Sequence, residues 1–354
     1  MNRIIVIPNR LIWIDWAKAL AITFVVFGHI PEEKGSFLIN YIVQFHMPLF
    51  FFISGFLTKK EYFGKTTLTK YWHTLIIPYL CFNFIYYPYW VVKHIIEHPD
   101  AGWYEFIKPI IGTFMLQHET PYYESLNGVT WFISSLLIMK ILLSISNKYH
   151  CKAALTIIVI LDAFLYIINE HYRLVTDLPF VGFIRCLPFF MLGHLCKQKN
   201  IVKDKPQHKD LILCIGGIFI STITYAILRE LDGIFSYGIC FWIICISAIT
   251  GFLSLCKLLN RFHSIIIDNI SIGTIVIMGL HWILIGITNY SLIKILHIEG
   301  GIVYPLPIAI SLALLFVIIL YPIIILFKNK FPFMLGKWKP LPPNFISKEL
   351  NPSD

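Results

Sequence analysis

Lys18, His29 and His46 are the residues whose types and positions first suggest chemistry. All three fall within residues 10–56, a stretch apolar enough to read as two membrane-spanning helices joined by a short turn. A charge or an imidazole at bilayer depth costs ~2.5–3.5 kcal/mol on insertion scales, and it faces a protein interior or a water-filled cavity. Imidazole is the usual general base near neutral pH. An ammonium a third of the way into the bilayer suits an anionic group, and Asp15, three residues before Lys18, is a candidate ion-pair partner. Spacing alone leaves blander readings open. Lys18 can snorkel to the interface, and His29 and His46 can bond loop backbone at the outer surface.

The elements that must hold these residues are helices. The chain of 354 residues is 57% hydrophobic and 14% charged, which excludes an ordinary soluble domain and a disordered chain. Apolar runs of about 20 residues recur, the length that crosses ~30 Å of hydrocarbon. The short alternating segments of a transmembrane barrel do not occur. The pattern predicts an all-α polytopic membrane protein of about ten spans, over 11–30, 36–57, 71–93, 129–147, 151–169, 180–197, 210–229, 234–256, 265–287 and 302–327. It predicts one integrated domain over 1–328 and a cytoplasmic tail over 329–354, with no cleavable signal peptide.

Loop charge orients these spans. With the N-terminus in the cytoplasm, the great majority of Lys and Arg fall in cytoplasmic segments, including Lys59, Lys60, Lys65 and Lys70, the run Lys197 to Lys209, and Lys328 onward. The opposite loops hold only Lys34, Lys93, Lys108, Arg173, Arg229 and Lys294. The positive-inside rule then places both termini in the cytoplasm, and it accounts for the net charge of +9 without nucleic acid. The eight cysteines are scattered without a CxxC pair and read as buried apolar thiols. The long external connection 94–128 is acidic and aromatic, suited to the outer interface. It opens on His94-Ile-Ile-Glu97-His98, an HxxEH zinc-peptidase pattern, but Pro99 follows at once and no third ligand is evident, so no metal is expected.

Orientation gives each polar residue a depth. Lys18 lies in the inner half of the first span and His29 at its outer end. His46, Trp131, Arg185 and His281 fall in the outer halves of their own spans, near the level of His29, while Ser54-Gly55 lies near the cytoplasm. The reading is a cavity in the outer half with a basic inner entrance, where the lysines of the 58–70 loop hold phosphates as point charges. Trp131 can instead be an aromatic-belt anchor, and Ser54-Gly55 a close helix-packing point.

At these residues the chain resembles the acyltransferase-3 family of integral-membrane acyltransferases, particularly the branch of fucose 4-O-acetylase-like proteins. The family's Arg/Lys-x10-His signature appears as Lys18 and His29. Its FxxSGF-type signature appears as Phe51-Phe-Ile-Ser54-Gly55-Phe56, after Phe45-His46-Met47-Pro48. Trp131-Phe-Ile133 resembles its WFL pattern, Phe189-Phe-Met-Leu-Gly193 its FFxLG, and His281 its late histidine. Lys18 stands where Arg is commoner, and His73-Thr74 where the family's basic cluster before Pro78 has Arg.

The resemblance implies transfer of an acyl group, usually acetyl from cytoplasmic acetyl-CoA, to a sugar hydroxyl of a surface or lipid-linked glycan. It implies a bacterial inner-membrane O-acetyltransferase with His29 as general base or transient acetyl carrier, assisted by Lys18 and Asp15. His46, Ser54, Trp131, Arg185 and His281 would bind substrate, and Lys59, Lys60, Lys65, Lys70 and His73 the CoA phosphates. The expected partners are acyl-CoA, a glycan or lipid-linked sugar acceptor and membrane lipid. A glycolipid flippase or small-solute transporter would also want a polar cavity and a basic inner face, but not a histidine matched to a nucleophile. A membrane sensor or scaffold fits the short loops less well.

Overall fold

Helices account for nearly all of the regular structure, as apolar segments without water to satisfy their backbone require. The computed structural model describes residues 11–32, 36–116, 125–172, 181–230, 235–298 and 301–337. Arg3, Arg10, Lys34, Arg173, part of the 94–128 connection and the tail from residue 338 lie outside them. In chain order the helices are α1 (Ile12–Gly28), α2 (Phe37–Leu57), α3 (Lys65–Tyr71), α4 (Ile77–Glu97), α5 (Trp103–Phe114), α6 (Trp131–Lys148) and α7 (Lys152–Tyr172). They continue with α8 (Val181–Gln198), α9 (His208–Leu228), α10 (Phe241–Leu258), α11 (Ile265–Ile272), α12 (Thr274–Leu296) and α13 (Leu306–Lys330). Among the described residues no strand forms.

Seven of these stretches are long and apolar enough to cross a membrane: Phe37–Leu57, Lys65–Glu97, Gly128–Tyr149, His208–Leu228, Gly238–Arg261, Thr274–Leu296 and Leu306–Lys330. The other three expected spans correspond to α1, α7 and α8. At 17 residues, α1 is about 25 Å long, short of the hydrocarbon thickness. The interiors of α7 and α8 carry Asp162 and Arg185.

Two departures from the expected spans shape the site. The stretch read as 71–93 begins earlier, and a π turn over Trp72–Ile76 interrupts it between α3 and α4. The stretch read as 265–287 is broken at Gly273 into α11 and α12, and it ends nine residues later, at Leu296. His281 therefore sits in the first half of α12 and not near its outer end.

α1 is the central helix. It is flanked by α2, α10, α11, α12 and α13, and Trp13, Ala17, Ala21, Ile22 and Val26 are buried along its length. The glycines of the two phenylalanine-rich motifs set the α2–α8 crossing. A Cβ on Gly55 would overlap the Phe190 carbonyl, and one on Gly193 the Phe52 carbonyl. Each glycine thus lies against the other helix's backbone, the close approach that small residues permit between membrane helices. α9, packed on α10, turns Ile212, Ile215 and Phe219 outward, with Ile212 73% exposed. In water such a face would be costly, and lipid covers it without cost.

Candidate active site

α1 runs alongside α11 and α12 in the same direction, and two polar junctions tie them together. Near the start of α1, Ser271 Oγ donates to Asp15 Oδ1 (2.6 Å), and Lys18 Nζ donates to the Ser271 carbonyl. A lysine on the last carbonyls of a helix satisfies acceptors that have no partner within it. Asp15 and Lys18 therefore meet at the break between α11 and α12. Thr274, the first residue of α12, also reaches the Ser271 carbonyl, at 3.4 Å.

The second junction lies eleven residues further along α1. His29 is its C-cap. The His29 and His281 rings meet edge to face with centroids 5.0 Å apart, and Trp282 presses edge-on against His29 at 5.5 Å. Hydrogen bonding fixes the tautomers. His281 Nδ1 lies 2.9 Å from the Ile277 and Met278 carbonyls, which only accept, so Nδ1 carries the proton and Nε2 the lone pair. His29 Nδ1 lies 2.7 Å from the Val25 carbonyl and 3.3 Å from His281 Nε2. Both neighbours are acceptors, so His29 Nδ1 also holds its proton. His29 Nε2 is left as the basic nitrogen, with its ring oriented from behind. This is the base-and-orienter arrangement of general-base catalysis.

His29 lines a cavity of about 170 Å³. Its other walls are mainly apolar: Ile22 and Val25 from α1, Met47 and Phe50 from α2, Leu75 from the π turn, Trp131 and Leu136 from α6, and Met278 from α12. Thr274 adds a hydroxyl. The cavity lies inside the bundle, since Ile22, Val25, Phe50, Ile133, Leu136 and Met278 of its lining are buried. The chain after α1 is held in place where the Tyr304 amide donates to the Pro31 carbonyl (2.9 Å).

Of the residues singled out in the sequence, His29 and Trp131 line this cavity and His281 backs His29. His46 and Arg185 do not line it. His46 is buried on α2 with Nδ1 on the Ile42 carbonyl (3.1 Å), within electrostatic reach of both His29 and Arg185. Arg185 donates to the Gln44 carbonyl (3.3 Å) and stacks 4.8 Å over Phe241. Ser54 also lies outside the lining; its carbonyl accepts from Thr58 (2.7 Å) beside the Gly55 crossing.

The lysines expected in a 58–70 loop are divided by the fold: Lys59 and Lys60 precede α3, while Lys65 and Lys70 lie on it. Lys59, Lys60 and Lys65 are exposed. Lys70 is paired with Glu61, which also accepts from the Tyr71 hydroxyl (2.7 Å). Burial pushes the Glu61 carboxyl up, and the Lys70 ammonium and Tyr71 hydroxyl more than offset it, holding it below the usual carboxylate range. The loop is bound to α6 by the Phe63 amide on the Ser144 carbonyl and by Asn147 Nδ2 on the Glu61 carbonyl, each at 3.0 Å. His73 is half-buried within the π turn. His94, from the zinc-like pattern, is bonded instead to Glu105 Oε2 (3.1 Å) and stacked on Trp90 at 4.6 Å. No group of three metal-ligating residues occurs among the described residues.

A buried amide network beside the site was not legible from spacing. Asn127 is fully buried. Its Nδ2 donates to the Gly279 carbonyl (2.9 Å), two residues before His281, and its amide donates to Asn83 Oδ1 (2.9 Å). Asn83 Nδ2 in turn donates to Thr130 Oγ1 (3.0 Å), next to Trp131. The network fastens the start of α6 to α4 and α12, and so fixes two walls of the cavity. Its only sequence trace is the run Asn127-Gly-Val-Thr130 before an apolar helix.

A pair of histidines thus stands at a mainly apolar cavity inside a bundle of apolar helices. Residues 11–332 match the model of the acyltransferase-3 family, described as an acyltransferase domain, and the chain belongs to that family. It is thus a membrane acyltransferase that transfers groups other than aminoacyl. No curated protein and no solved structure matches the chain.

Proposed function

We propose that this protein is an O-acetyltransferase of the bacterial inner membrane. In this reading it moves an acetyl or other short acyl group from acyl-CoA to a hydroxyl of a cell-surface or lipid-linked glycan. The reading includes ten spans with both termini cytoplasmic. The observation that carries it is the His29–His281 pair at the apolar cavity. A cavity of about 170 Å³ compares with the 150 Å³ that accommodates benzene, so a short acyl thioester suits it and a nucleotide does not.

His29 Nε2 accepts the proton of the acceptor hydroxyl as its oxygen attacks the thioester carbonyl. The carbon–sulfur bond then breaks, and the departing thiolate of CoA takes the proton from the His29 imidazolium. Throughout, the Nδ1–H stays between the Val25 carbonyl and His281 Nε2, which stabilises the cation that forms. A variant route has His29 carry the acetyl group transiently. Lys59, Lys60 and Lys65, exposed and uncommitted to Glu61, suit the CoA phosphates better than Lys70. Asp15 and Lys18 hold the α11–α12 break and act on the cavity through Thr274. His46 and Arg185 support the back of the site.

The test uses purified protein with radiolabelled acetyl-CoA, comparing wild type with His29→Ala and Lys18→Ala. Thioester cleavage, or label on protein or added glycan, is expected in wild type and is lost in His29→Ala. Wild-type protein that neither binds nor cleaves acetyl-CoA would remove the donor assignment. A transport activity only partly reduced by His29→Ala would then favour a carrier.

A further inference from the structure

A second, larger cavity of about 410 Å³ lies between α8, α9 and α10, away from the histidines. One end is apolar, with Leu192, Leu213 and Ile246 in its walls. These three side chains are also exposed on the outer surface, so the cavity opens sideways as a groove toward lipid. The other end is charged, lined by Lys209, Asp210 and Lys257.

The charged end is unusual for its burial. Asp210 is fully buried and Lys257 is 6% exposed, while Lys209 beside them is exposed. Lys257 Nζ lies 3.4 Å from Asp210 Oδ1, while Asp210 Oδ2 is taken by the Gln207 amide (2.7 Å) in the capping box of α9. An ammonium has three donors, and one long contact to a shared carboxylate leaves capacity for a further acceptor. A buried cation is retained where its partners together satisfy it. The two lysines and Asp210 leave one net positive charge in the groove. The loop that forms its rim carries exposed Lys203 and Lys205, with Asp204 between them paired to Lys197 at 4.0 Å.

The occupant therefore carries an anionic oxygen group on a long apolar chain. Inorganic phosphate would leave the apolar wall empty, and a neutral lipid would leave the Lys257 donors unused. We propose that this groove binds an anionic phospholipid from the leaflet at the lysine-rich end. Its phosphate sits at Lys257 and Lys209, and one acyl chain lies along Leu192, Leu213 and Ile246. Juxtamembrane basic residues attract such lipids in general; here a built cavity singles out one molecule. Phe52 also lines the groove, and its carbonyl is the one that Gly193 abuts, so the bound lipid braces the α2–α8 crossing.

Native mass spectrometry of the full chain in mild detergent tests the proposal with phosphatidylglycerol, phosphatidylethanolamine and acetyl-CoA as probes. Wild type is expected to retain one phosphatidylglycerol in preference to phosphatidylethanolamine. The Lys209→Gln, Asp210→Asn, Lys257→Gln triple variant leaves no unpaired buried charge, takes the groove from one net positive charge to none, and loses about fivefold in that preference, the weight of one net charge near an anionic surface. An unchanged preference in the variant overturns the proposal. So does displacement of the lipid by acetyl-CoA, which would make the groove a nucleotide site. A second measurement needs no variant. Photo-crosslinking wild type with diazirine-tailed phosphatidylglycerol is expected to label peptides containing Leu213 or Ile246. Label spread evenly over the outward faces of α9 and α13 would refute a discrete site.

Discussion

Replacing His281 with Phe isolates the contribution of the second histidine. His281 is fully buried and does not line the cavity, so the change removes one acceptor without altering the walls that meet substrate. What is lost is the lone pair 3.3 Å from His29 Nδ1. Hydrogen bonds to charged groups contribute about 1.5–3 kcal/mol. The length of this one, and its sharing with the Val25 carbonyl at 2.7 Å, place it at the lower end. A loss of about 1.5 kcal/mol in stabilising the His29 imidazolium lowers kcat roughly tenfold. In the proposed mechanism the imidazolium exists only during reaction, so the KM for acyl-CoA should change little. Steady-state kinetics of acyl transfer in detergent, with helix content checked by circular dichroism, reads both parameters. A folded variant with kcat within threefold of wild type would refute the orienting role. A rise in KM with kcat intact would make His281 part of a binding wall.

Other perturbations follow from the same geometry. Gly193→Ala forces a methyl into the Phe52 carbonyl and is expected to cost about 1–3 kcal/mol as the helices separate, seen as a lower Tm in detergent. Gly216→Ala on α9 has nothing within 4 Å and should leave Tm unchanged or slightly raised, as Ala favours helix over Gly. Met278→Phe fills part of the 170 Å³ cavity and should abolish transfer of longer acyl groups before acetyl, measured as the ratio of their kcat/KM values. The lowered Glu61 carboxyl contributes stability that is complete above its unfolded value near about 4.3 and is lost as pH falls through the folded one. Limited proteolysis of the 58–70 loop should accelerate only on that acid side, and Glu61→Gln should remove the dependence.

The parts of this architecture that rest on composition were readable beforehand. Runs of apolar residues mark the α2, α9, α10 and α13 spans because lipid demands them. Lys18 and His29 were legible as polar residues on the first span, three turns apart along α1, while their neighbours, α11 and α12, emerge only from the fold. What stayed hidden depends on contacts between distant segments. His281 reads as an outer-half residue only if one helix runs through Gly273; the break moves it inward. Lys70 looks like a free cation in a basic loop until Glu61, nine residues earlier, is folded back onto it. His46 and Arg185 share the depth of His29 in sequence, but neither lines the cavity: His46 on α2 bonds the Ile42 carbonyl and Arg185 on α8 reaches the Gln44 carbonyl. Asn83 and Asn127 show no periodic signal, because buried amides satisfy one another across loops. Asp210 and Lys257 are separated by 47 residues, and each alone resembles an ordinary charge at a helix end.

The π turn between α3 and α4 has a consequence for what the chain can lose. A π turn holds one residue more than the α-helix it interrupts, and one residue rotates everything beyond it by about 100°. Leu75 within the turn faces the cavity, and Asn83 two turns later must face the amide network. Gly336, at φ 68°, sits against the Thr74 backbone so closely that a Cβ would collide with it. Deleting any one residue from Trp72 to Ile76 would let the helix run straight, yet it would swing either the leucine or the asparagine onto the wrong bearing and unseat the turn at Gly336 from the Thr74 backbone. The extra residue behaves as a fixed spacer, tuning one helix to serve two unrelated surfaces, so the segment should tolerate changes of side chain far better than a change of length.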